Sequence, residues 1–138
     1  MASTHRGSCL CGAIKYEITG DPFTYLVCHC INCKKATGSP FMANAFFKTD
    51  QLSITQGKET IKNFRDDQTA SGSAINRSFC PDCGSSLFIV SATNDCAIVS
   101  TGTLDDPVTW TPRRENFTER KFHWVTGLTT NPKPRSKL

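Results

Sequence analysis

Residues 80–84 read Cys80-Pro81-Asp82-Cys83-Gly84, a knuckle in which two thiols flank a tight turn and a glycine relaxes the backbone after the second. Structural zinc takes four ligands in a tetrahedron, so a second thiol pair would complete such a site. The natural partner is Cys9-Leu10-Cys11-Gly12, about 70 residues earlier. Side chains two residues apart share one face of a strand, so Cys-x-Cys can present two sulfurs together. A metal held by Cys9, Cys11, Cys80 and Cys83 would clip an N-terminal strand to a later hairpin. It would close a long loop as a crosslink does, and so stabilise a small β domain.

The sequence around these pairs alternates as strands do. Ile14, Tyr16 and Ile18 are separated by Lys15 and Glu17, the pattern of a half-buried strand. Phe23 to Cys28 reads as a second strand after the turn Gly20-Asp21-Pro22. Further strands are expected at 41–47, 51–55, 60–64, 74–79, 86–91 and 96–101, parted by Gly57-Lys58, Asp66-Asp67, Asn94-Asp95 and Leu104-Asp105-Asp106-Pro107. Residues 31–38 form the one candidate helical turn, closed by Gly38. No long stretch has a 3.6-residue period, so the expectation is an all-β fold rather than an α/β unit.

The second cysteine group is Cys28-His29-Cys30-Ile31-Asn32-Cys33, three thiols with no evident fourth. Catalytic zinc commonly has three protein ligands and leaves a position for water or substrate. An open three-thiolate site could hold a substrate thiol as thiolate at neutral pH. Cys30 is the member expected to carry the catalytic role. Two other readings stand beside this one. His29 or Cys96 could close the site as an inert fourth ligand, or the three thiols could serve redox chemistry. Cys96, in the apolar run Cys96-Ala97-Ile98-Val99, is assigned no role. Lys34 and Lys35 could offset the charge of three thiolates, although a lysine pair after a turn is more simply a solvated one.

Composition narrows the class. The 138 residues suit one domain, read here as 1–128, followed by a disordered basic tail at 129–138. Lys133, Arg135 and Lys137 carry three of the four net positive charges, which leaves the body nearly neutral. A neutral body argues against nucleic acid as the partner. No apolar run reaches the ~18 residues of a membrane span. The opening MASTHRGSCLCG lacks the apolar core of a secretory signal, so a cytosolic or nuclear protein is expected. In that compartment 8 cysteines are read as metal ligands rather than disulfides.

Five ordered blocks together resemble a known family. They are Gly7-Ser-Cys-Leu-Cys-Gly-Ala13, Cys28-His-Cys-x-x-Cys33 with Lys34-Lys-x-Thr-Gly-Ser-Pro40, Arg77-Ser-Phe-Cys-Pro-Asp-Cys-Gly84, Thr101-Gly-Thr-Leu-Asp-Asp-Pro107, and Trp124. Over about residues 6–128 the chain resembles the glutathione-dependent formaldehyde-activating enzymes, also called the centromere protein V/GFA-like domain. The resemblance implies a tent-like arrangement of small antiparallel β-sheets held by zinc. It implies two zinc ions per chain: a structural one on Cys9, Cys11, Cys80 and Cys83, and a catalytic one on Cys28, Cys30 and Cys33. It implies a carbon–sulfur lyase that joins glutathione to formaldehyde as S-hydroxymethylglutathione. The partners are then a small-molecule thiol and a small carbonyl electrophile. The rival reading is a non-catalytic zinc-binding interaction module. One position departs from the family pattern: many members carry a His shortly after the proline at 112, where this chain has Arg113, Arg114 and Glu115.

Overall fold

The computed structural model describes residues 2–91, 93 and 95–132. Ten strands and one α-helix make two sheets. The strands are β1 (Thr4–Ser8), β2 (Lys15–Thr19), β3 (Thr24–Cys28), β4 (Met42–Lys48), β5 (Leu52–Gln56), β6 (Lys62–Asp66), β7 (Ile75–Phe79), β8 (Ser86–Ser91), β9 (Cys96–Ser100) and β10 (Arg114–Asn116); α1 spans Ile31–Thr37. The small sheet has the order β1-β2-β5, and the large one runs β10-β3-β4-β9-β8-β7-β6. All pairings are antiparallel except that of β10 with β3. The all-β expectation holds, with one short helix.

Alternation builds the main core. Tyr16 and Ile18 of β2 are buried while Lys15 and Glu17 are exposed, and with Ile14 they pack on Ala45, Phe47, Phe88 and Val99 from one face of the large sheet. Gly7 pairs with Tyr16 across the small sheet. The Tyr16 ring lies where any side chain at position 7 would have to go. Burial pushes the Tyr16 phenol up to about 12, and its hydroxyl is hydrogen-bonded to the Thr103 hydroxyl at 2.6 Å. The outer edge of β1 is covered by the 104–106 turn. Asp105 N–H donates to the Arg6 carbonyl at 2.8 Å, and Asp106 accepts from the Arg6 backbone at 2.8 Å and from its guanidinium at 3.0 Å. A covered edge offers no template for a foreign strand.

The opposite face of the large sheet carries the second core. Its residues follow from register. Asn116, Cys28 and Met42 form one row, while Phe46, Ile98, Ile89 and Arg77 form another. Between those rows Leu26 faces Asn44.

Sequence and structure differ at four places. β1, of sequence THRGS, has no apolar alternation and forms by backbone pairing alone. β10 has three residues and is the parallel edge strand. β6 begins two residues later than 60–64, because Lys58–Thr60 form a single 3₁₀ turn. Asp66, expected in a turn, ends β6 and is buried. Of the expected tail, Asn131 N–H donates to the Pro112 carbonyl at 2.8 Å, and residues 133–138 lie outside the described residues. No helix among the described residues is long and apolar enough to cross a membrane.

Candidate metal centre and active site

The first cysteine group sits where two hairpin turns meet. Cys80 N–H donates to the Ser85 carbonyl and Gly84 N–H to that of Cys80, which folds the β7–β8 turn around both of its sulfurs. Gly84 takes a positive φ there, as its place in the knuckle requires. Cys9 and Cys11, expected on a strand, lie instead in the β1–β2 turn. Gly12, at φ +80, lets that turn close, and its N–H donates to the Cys9 carbonyl. Leu10 N–H donates to Ser85 Oγ at 2.9 Å and ties the two turns together.

The four sulfurs all lie within 4.8 Å of one another. Cys11 Sγ is 3.7 Å from both Cys9 Sγ and Cys80 Sγ. A tetrahedron with metal–sulfur bonds of ~2.3 Å has edges of about 3.8 Å, so the donor set and its spacing fit a zinc ion. Cys83 is lowered to about 5, chiefly by hydrogen bonds from the Ser85 side chain and backbone. All 8 cysteines are free thiols, and no disulfide forms.

The second group joins the end of β3 to the first turn of α1. Cys28, Cys30 and Cys33 are all buried, and their sulfurs also lie within 4.8 Å of one another. Cys30 is the N-cap of α1, and its sulfur accepts the Cys33 N–H at 3.3 Å. Gly38, in the left-handed conformation, ends the helix after two turns. The Cys33 thiol is brought down to about 6, first by hydrogen bonding from Cys28, against burial, with Cys30 and the Arg77 guanidinium adding to the effect. Burial pushes the Cys30 thiol up. Of the triplet, Cys33 thus has its pKa lowered, and it lies beside a cation.

That cation is Arg77 rather than Lys34 or Lys35. The Lys34 ammonium donates to the Arg120 carbonyl at 2.7 Å and lies 4.3 Å above the Phe122 ring. Arg77 Nε donates to Asp66 at 2.9 Å, and Asn32 Nδ2 donates to both Asp66 oxygens at 3.0 Å. A closed circuit therefore runs from Cys33 through Arg77 and Asp66 to Asn32, which sits one residue before Cys33. Arg77 stands three residues ahead of Cys80, in a block the sequence had marked for its cysteines alone.

His29 and Cys96 do not join the triplet. The His29 ring is buried and turned away, with Nε2 2.8 Å from Glu115 Oε1 and the ring edge-on to Phe41. Cys96 pairs with Lys48 and belongs to neither sulfur group. Among the described residues the triplet has no fourth protein ligand.

A cavity of about 180 Å³ adjoins the triplet. Leu26, Phe46, Ile75, Ile89, Ile98 and Phe117 supply its apolar wall, and Asn32, Asn44, Thr69, Ser71, Arg77 and Asn116 its polar side. Asn44 is 6% exposed, and its Oδ1 has no hydrogen-bond partner. Phe117 takes φ 56, ψ 48, the one non-glycine positive φ among the described residues. A bulky residue held there is strained, a condition that clusters at functional sites. Neither Asn44 nor Phe117 has a local sequence signal. Only strand register and a turn conformation bring them to the cysteines.

A β domain with one four-sulfur and one three-sulfur group, the second opening on a cavity, defines a class of small protein with two clusters able to hold metal. The chain belongs to the family of glutathione-dependent formaldehyde-activating enzymes, whose profile matches residues 4–120. It is 33% identical over 84 residues to an uncharacterized lyase, C29B12.13, of Schizosaccharomyces pombe. That match covers 61% of this chain and 56% of the yeast protein, so the chain spans little more than half of its relative. A crystal structure of a Rhodobacter sphaeroides protein, a structural genomics target, shares the fold. It superposes with a TM-score of 0.57 at 20% identity, covering 75% of this chain and 90% of that one.

Proposed function

We propose that this protein is a zinc-dependent carbon–sulfur lyase acting on glutathione adducts of small carbonyl compounds, of the S-hydroxymethylglutathione type. The observation that carries the reading is the buried triplet Cys28, Cys30 and Cys33, without a fourth protein ligand and opening on a cavity. Membership of a family described by glutathione and formaldehyde supports the substrate class, and the lyase name of the yeast relative supports the reaction type.

Cys28, Cys30 and Cys33 would hold the catalytic zinc, and Cys9, Cys11, Cys80 and Cys83 the structural one. When bound, the catalytic zinc would supply thiol activation, keeping a substrate sulfur as thiolate at neutral pH. The chain's own groups do the rest. In the forming direction the glutathione S–H gives its proton to water, the sulfur bonds to the carbonyl carbon, the π pair moves to oxygen, and oxygen takes a proton back from water. Breakdown reverses each step. Asn44, which lines the cavity, would orient the adduct's hydroxyl through its amide. Arg77 offsets the negative charge of three thiolates. The apolar wall excludes bulk water, which strengthens both contacts.

The rival reading, a zinc-binding interaction module, is favoured by one feature, the exposed stacked rings of Phe122 and Trp124. An exchange assay separates the two. The rate of S-hydroxymethylglutathione breakdown, followed by NMR, should rise with added protein and fall at least 100-fold in Cys30→Ser. No acceleration by the zinc-loaded wild type would leave the binding module standing.

A further inference from the structure

The cavity beside Cys28, Cys30 and Cys33 is larger and more apolar than a one-carbon carbonyl needs. Its 180 Å³ corresponds to about six waters at ~30 Å³ each. Formaldehyde and the glutathione sulfur that holds it, three heavy atoms, would fill about half of that. The rest would be hydrocarbon wall facing empty space or water, which gives up burial energy without any contact in return. We propose that the cavity selects adducts whose carbonyl component carries a short hydrocarbon chain, the class of small aliphatic aldehydes beyond formaldehyde. This rests on the lyase reading above and names the substrate class of the same site.

Three features of the wall set the class. The apolar groups come from five different elements that share one sheet face, Leu26 of β3, Phe46 of β4, Ile98 of β9, Ile89 of β8 and Ile75 of β7, so the wall is rigid. Phe117 is held against it in a conformation that a side chain adopts only under constraint from its surroundings. The polar inventory excludes a charged chain. Arg77 already meets Asp66 at 2.9 Å, and both side chains are largely buried, so a carboxylate on the carbonyl component would meet a cation that is already paired. Neutral polar residues, Asn32, Asn44, Thr69, Ser71 and Asn116, line the other side, enough to hold the one hydroxyl that a hemithioacetal offers. An apolar wall with neutral polar groups opposite it is the complement of an adduct carrying one hydroxyl on a hydrocarbon chain.

The test uses stable thioethers that place an alkyl group where the adduct carbon sits. S-methyl-, S-ethyl-, S-propyl- and S-butylglutathione are titrated calorimetrically into the zinc-loaded full chain. Burial of each added methylene is worth about fourfold in affinity. S-butylglutathione should therefore bind about 60-fold tighter than S-methylglutathione. Ile98→Phe, and separately Ile89→Phe, narrow the slot, and should cut that ratio to below about fivefold. Binding of S-methylglutathione with no gain from longer chains overturns the inference and leaves the lyase reading in place. Binding of none of the four overturns both.

Discussion

The imidazole of His29, fully buried between two cysteines of the triplet, has its Nε2 2.8 Å from Oε1 of Glu115 on the parallel edge strand β10. Glu115 of β10 thereby anchors a histidine that stands just beyond the end of β3. The carboxylate is also 2.9 Å from the Lys121 ammonium, which is the main reason its pKa lies below the usual range, with His29 adding to the effect against burial. The contact fixes the direction of the His29 ring, which lies between Cys28 and Cys30 in the chain.

Removing the carboxylate should therefore be felt in the fold. Glu115→Ala leaves a buried ring nitrogen without its partner, at a cost of about 2 kcal/mol in urea unfolding. Glu115→Gln, which keeps an acceptor, should cost less than half as much. Equal stability of Glu115→Ala and the wild type would mean that the contact positions nothing.

Asp66 gives the protein its clearest acid sensitivity. Burial alone would raise its pKa, but hydrogen bonds from Arg77 and Asn32 outweigh burial and hold it below 3.8. A depressed carboxyl pKa contributes stability that is complete above the unfolded value and is lost as pH falls through the folded one. The stability gap between wild type and Asp66→Asn should stay constant from pH 7 to about 5 and shrink below about 4. Thermal melts across that range measure it. A gap that widens on acidification would refute the pairing with Arg77.

Gly7 tests the packing of the small sheet. A methyl group at this position would overlap the Tyr16 ring, which is itself held by Thr103. Gly7→Ala should cost about 2 kcal/mol in chemical unfolding, the ordinary scale of overpacking. Gly7→Ala with Tyr16→Phe should recover little, since the ring remains. Gly7→Ala with Tyr16→Leu should recover more.

What could be read in the sequence was whatever is local. Alternation placed β2, the cysteine spacing placed both sulfur groups, and Gly38 marked the end of α1. What escaped depends on partners distant in the chain. β1 and β10 hold no apolar period, because one is covered by the 104–106 turn and the other is a three-residue edge. The Cys9–Cys11 pair was legible as a pair but not as a turn, since both a strand and a turn bring such sulfurs together. Asn44 reads as a polar interruption in Met42–Lys48, and its meaning comes only from the register that sets it opposite Leu26. Arg77 and Asp66 lie 11 residues apart on antiparallel neighbours, and no helical or strand period links them.

On the proposed function the chain holds two zinc ions at separate cysteine groups, one for the fold and one for substrate. Elemental analysis of purified wild type and Cys30→Ser, each confirmed folded by circular dichroism, tests it most directly. Two zinc per chain are expected in the wild type and one in Cys30→Ser. A single zinc per chain in both proteins would contradict it.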